Sequence, residues 1–95
     1  MKKILDTINN FIINNDNMII ECNKYNYIIP IKNGSIETCC IINELKETIG
    51  LRDININDNI IIFYRDIENK NIKPIKIIKL FNYVYNDTSD SENNI

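Results

Sequence analysis

The chain has 95 residues, enough for one ordinary core, and 44% of them are apolar. Its 11 basic and 13 acidic residues leave a formal charge of −2 and an isoelectric point near 5.0, which argues against a binder that works by phosphate attraction. No apolar run approaches the roughly 18 residues of a helical membrane span. Met1-Lys2-Lys3-Ile4-Leu5-Asp6 holds no signal-peptide core, because Asp6, Asn9 and Asn10 interrupt it. The expected location is cytoplasmic or nuclear.

Isoleucine and asparagine dominate, while alanine, glutamine, histidine and tryptophan are absent. An AT-rich genome, that of a parasite or a large DNA virus, writes such a bias wherever the fold tolerates it. The asparagines are interleaved with regular apolar residues, unlike a prion-like tract. Cys22, Cys39 and Cys40 make an odd count with two adjacent members, which suits neither a disulfide framework nor a zinc site. They are expected to be small buried hydrophobes in a reducing compartment.

In chain order, Ile4, Leu5, Ile8, Phe11 and Ile12 follow the i, i+4, i+7, i+8 spacing of an amphipathic helix over 3–14, stopped by Asn14-Asn15-Asp16-Asn17. Met18 to Cys22 and Tyr27 to Ile31 read as a hairpin of strands. Pro30 cannot donate to a ladder, so it should face the open edge of the sheet or a bulge. Asn33-Gly34 is a turn, and Ser35 stands where it could cap a helix over 36–49 that ends at Gly50. Arg52 to Asn59 is a polar connector in which Ile54 and Ile56 could form a short strand. Asn59 to Tyr64 is a strand apolar enough to lie centrally in a sheet. Ile72 to Tyr85 reads as a last helix with Pro74 in its first turn. The domain is expected to span residues 1–87, with 88–95 a disordered acidic tail.

That order and its residues resemble the BTB/POZ fold, nearest to the elongin C and SCF-linker adaptors of cullin ubiquitin ligases. Ile42-Asn43-Glu44-Leu45-Lys46-Glu47-Thr48-Ile49-Gly50-Leu51 is similar to the family's helix-ending turn. Ile62-Phe63-Tyr64-Arg65-Asp66-Ile67 resembles its strand end, and Leu80-Phe81-Asn82-Tyr83-Val84-Tyr85 its closing helix. The likeness covers roughly residues 18–87, and the helices with which the adaptors capture substrate receptors are missing. It implies an α+β domain in which a small, mainly three-stranded sheet is covered by helices, with an extra N-terminal amphipathic helix. It also implies a non-catalytic module that forms a homodimer or docks on a cullin-type scaffold, as adaptor or competitor. Self-association would use Leu5, Ile8, Phe11 and Ile12. The scaffold-facing surface would comprise Glu47, Ile49, Leu51 and Ile54, then Ile56, Tyr64, Arg65 and Ile67.

Plainer readings stand beside these. The stripe on 3–14 would pack on its own core, and Lys70, Lys73, Lys76 and Lys79 would be a solvated helix face. With no histidine to serve as base, Cys39 and Cys40 are not read as nucleophiles, and no carboxylate pair is placed for acid–base work. Gly34 and Gly50 are the only glycines, so there is no phosphate loop. No catalytic residue, cofactor or metal is expected, and no nucleic acid or membrane partner. Two further readings remain: a ubiquitin-like binding module, which requires residues 72–85 not to be helical, and an OB-like single-strand binder stacking bases on Tyr25, Tyr27 and Tyr64.

Overall fold

The computed structural model describes residues 1–81, and its secondary structure is almost wholly β. The expected α+β architecture is thereby overturned: among the described residues the only helical piece is a 3-10 turn over Leu51–Asp53. Among the described residues no helix covers the sheet, and none is long and apolar enough to cross a membrane.

The first segment is the strand β1 (Lys2–Ile13), not an amphipathic helix. Isoleucine and asparagine are both indifferent helix formers, and a stripe with spacings of four is also even, as a strand requires. Ile4 and Ile8 fall on one face, with Asp6 between them. The odd step from Ile8 to Phe11 is accommodated by a bulge at Asn9, where the register with the next strand shifts. A bulged strand thus imitates the helical period.

The hairpin is found as expected, as β2 (Asn17–Cys22) and β3 (Asn26–Lys32) in antiparallel register. Asn33 and Gly34 carry φ of 52° and 76° and form a two-residue turn into β4 (Ser35–Ile36), so Ser35 pairs with Lys32 and caps no helix. The expected helix over 36–49 is instead β5 (Cys40–Asn43) followed by a tight turn. The Asn43 side chain makes that turn, accepting from the Leu45 and Glu47 amides, with Lys46 at φ 66°.

Strand β6 (Asn59–Tyr64) lies where the sequence places it. The short strands β7 (Ile67–Glu68) and β8 (Asn71–Ile72) follow, and the last expected helix, from Ile72, is replaced in its described part by the end of β8 and by β9 (Lys76–Lys79). Its remainder at 82–85, and the acidic tail, lie outside the described residues. Residues 72–81 are non-helical as a ubiquitin-like module requires, but that order also needs a helix after the hairpin, and 36–49 supplies none.

Strands run in the order β5-β9-β6-β1-β2-β3-β8-β7, with β4 paired to β3. The long β1 belongs to two half-sheets. Lys2 to Thr7 pair with β6, and Ile8 to Ile13 pair with β2. At the junction, the Ile8 amide donates to the Asp58 carbonyl, and the Asn57 amide donates to the Ile8 carbonyl. The core forms between the halves: Ile60, Ile62 and Ile77 from one side meet Met18, Ile20, Tyr27 and Ile29 from the other. Ile8 is buried at the pivot.

Candidate functional site

Two buried carboxylates brace the pivot. Asp6 accepts from the backbone amides of Lys24 and Tyr25 and, at 2.7 Å, from the Tyr27 hydroxyl. Its lone pairs therefore hold the β2–β3 connection against β1. Burial, reinforced by this hydrogen bond, keeps the Tyr27 hydroxyl protonated far above the usual tyrosine range. Asp58 accepts from the Asn55 amide at 2.7 Å and lies 3.4 Å from the Lys79 ammonium. Each polar group here ties one backbone segment to another. Sequence reasoning read Asp6 only as an interruption of an apolar run, although an acid between two core isoleucines was the available signal.

The residues assigned to self-association are scattered. Ile8 is fully buried, Leu5 and Ile12 are exposed, and Phe11 is partly buried against the core. They form no common stripe, because a strand sends alternate residues to opposite faces and the bulge resets the alternation.

The eight residues assigned to a scaffold surface also separate. Tyr64 and Ile54 are buried in the core, and Ile56 is exposed on a loop. Glu47 accepts from the Asn43 side chain. Ile49 and Leu51 line a shallow cleft beside Cys39 and Cys40. Arg65 and Ile67 line a larger cleft of about 690 Å³.

That larger cleft has about twice the volume of the one beside Cys39 and Cys40, 690 Å³ against 340 Å³. Ile28 of β3 and Ile67, Ile72 and Ile75 give it apolar walls. Arg65, Asp66, Glu68 and Lys73 also line it, two charges of each sign. One side is the outer edge of β3. β8 pairs with that edge at Asn26 and Tyr27, and β4 pairs with it at Ile31 and Lys32. Between them, Ile28 to Pro30, paired with β2 on their inner edge, have no strand on the outer edge among the described residues. Pro30 thus sits on an open edge, where its missing amide costs nothing. Of the cleft residues, Ile28, Glu68, Asn71, Ile72, Lys73 and Ile75 were missed from sequence, the last three because the apolar spacing of 72–85 reads as a helix.

The lysines spaced by three do not share a helix face. Lys76 lies 4.6 Å over the Phe63 ring, and Lys79 pairs with Asp58 and donates to the Asp53 carbonyl. Tyr27 and Tyr64 are core residues, so the three tyrosines make no stacking platform. No cluster of three or more His, Cys, Asp or Glu able to hold a metal occurs among the described residues.

All three cysteines are free. Burial pushes the Cys22 and Cys39 thiols up from 9.0 to about 12, whereas Cys40 is exposed. Iodoacetamide at pH 8 is therefore expected to label Cys40 first, with Cys22 and Cys39 lagging at least tenfold; peptide mass mapping over time checks this. The raised values also set a sign for stability. Above pH 9 the unfolded chain ionises these thiols and the fold does not, so stability is lost as pH rises from 9 toward 12.

No protein-family model, no curated protein and no solved structure matches the chain. The BTB/POZ resemblance finds no support in the fold. The cullin partner, implied by that resemblance alone, keeps no structural argument once strands replace the helices.

Proposed function

We propose that the chain is a non-catalytic protein-binding domain that takes an extended segment of a partner protein along the open edge of β3. The observation that carries this is the coincidence of an unpaired strand edge at Ile28 to Pro30 with the 690 Å³ cleft. A segment laid there can donate to a main-chain carbonyl of that edge, since Pro30 has no amide to give, and the isoleucine walls receive its alternate side chains. Arg65, Asp66, Glu68 and Lys73 favour a segment carrying both signs of charge and set its direction. Three free thiols suit a reducing compartment, the cytoplasm or nucleus.

The test is selection from a displayed library of short random peptides. Binders are expected to be extended, apolar at alternate positions and flanked by charge. Their affinity should fall at least tenfold, about 1.4 kcal/mol, on Ile67→Asp, a change at an exposed position. Amide shifts on binding should centre on Ile28, Ile29 and Ile31, which flank and include the open edge on either side of Pro30. Binders that tolerate Ile67→Asp and shift other residues would place recognition elsewhere and overturn the reading.

A further inference from the structure

The first half-sheet has a second face, turned away from the core. Strand register aligns its outward residues in rows. Leu5 pairs with Ile61, Ile61 with Ile78, and Ile78 with Ile42, an unbroken apolar row across β1, β6, β9 and β5. Their neighbours Ile60, Ile62, Ile77 and Ile41 are the ones that enter the core. Leu5 is 52% exposed, and the other three are partly exposed. A sheet apolar on both faces normally has both covered.

Charge is graded across this face. On one side of the apolar row lie Lys3, Phe63 and Lys76, in register through the same pairings. On the other side lie Thr7 and Asn59, linked by a side-chain hydrogen bond, and Glu44 just beyond the end of β5. Along the strands the face runs from Lys3 and Lys76 through the apolar row to Thr7, Asn59 and Glu44; the Glu44 carboxylate also accepts from the Phe81 amide, and the Lys24 ammonium donates to the Leu5 carbonyl beside the row.

We propose that this face packs against the same face of a second copy, about a twofold axis running along the apolar row. That axis lays Leu5, Ile61, Ile78 and Ile42 of each copy on their counterparts. It also reverses the strands, so the lysine end of one copy meets the Glu44 end of the other. A twofold axis along the strands would instead set lysine on lysine. The symmetry is isologous, and two sheets pack about 10 Å apart in this manner. Four strands span only about 20 Å, which places the dimer in the weak, concentration-dependent class. This surface is separate from the β3 edge, so either can fail without the other.

Light scattering and sedimentation on the full chain, from about 10 μM to about 1 mM, test it in the range where small interfaces associate. Mass is expected to rise from monomer toward dimer across that range. Leu5→Glu should hold the chain monomeric throughout, with an unchanged circular dichroism spectrum. Lys76→Glu, should Leu5→Glu fail to fold, is expected to weaken association severalfold, because Lys76 on β9 adjoins β5 and so is the lysine that this axis brings nearest Glu44 of the other copy. A dimer indifferent to both variants would overturn the proposal. So would a monomer at every concentration; with the Ile61 and Ile78 methyls shielded from a soluble paramagnet, it would assign the cover to residues 82–95 of the same chain.

Discussion

Asp6→Ala is expected to destabilise the domain by about 3–5 kcal/mol, since each buried donor left without its acceptor costs about 1–3 kcal/mol. The deleted carboxylate serves the Thr7, Lys24 and Tyr25 amides and the Tyr27 hydroxyl; the hydroxyl bond is buried and the amide bonds are part-buried. Against a total stability of roughly 5–15 kcal/mol for a domain, the variant should be partly unfolded at 37 °C. Tyr27→Phe removes one donor together with its demand for an acceptor, so it should cost only about 1 kcal/mol. Urea melts of the two single variants and the double variant check this. The Tyr27 substitution should cost markedly less in the alanine background, because the pair then has no bond to lose. A loss below about 1 kcal/mol for Asp6→Ala would mean that water replaces the carboxylate, and that the β2–β3 connection is not held to β1 through it.

Ile62→Ala is the second large effect, with an expected cost of about 2–5 kcal/mol. Ile62 has no exposed surface and stands in the middle of β6, between Ile4 on β1 and Ile77 on β9. Truncation leaves a cavity walled by strands on both sides, which cannot close without breaking their registers. Ile61→Ala, one residue earlier, points to the opposite face and should cost well under half as much in dilute solution. Thermal melts of the two variants at low concentration measure the contrast. Equal losses would mean that the outer face is as well covered as the core within a single chain.

Parts of the fold were legible in the sequence because local chemistry alone settles them. Asn33-Gly34 takes a turn with both φ values positive, which few other residue pairs accept. Asn59 to Tyr64 reads as a strand because its β-branched and aromatic run is too short for a helix and too apolar for a loop. Pro30 announces an open edge because it has no amide to give. Of the two acids that brace the pivot, Asp6 left a signal, an acid inside an apolar run, but not its role, since such an aspartate looks the same whether solvent or four donors await it. The cleft was half legible: Arg65 and Ile67 were named, though for a surface on a different fold. The cleft depends on β3 and β8 meeting in parallel across more than forty residues of chain.

The amino-acid sequence by itself determined a small one-core domain of low net charge, its central strand β6, its β2–β3 hairpin and the turn that follows. Tertiary structure alone decided the state of residues 3–14, 36–49 and 72–81. Isoleucine at spacings of three and four satisfies a helix, and with one bulge it satisfies a strand equally well. What tips β1 to the strand is pairing with β6 on one side and β2 on the other, fastened where Ile8 exchanges hydrogen bonds with Asn57 and Asp58. β2 follows directly in the chain, but β6, Asn57 and Asp58 lie about fifty residues away, beyond the reach of any local pattern.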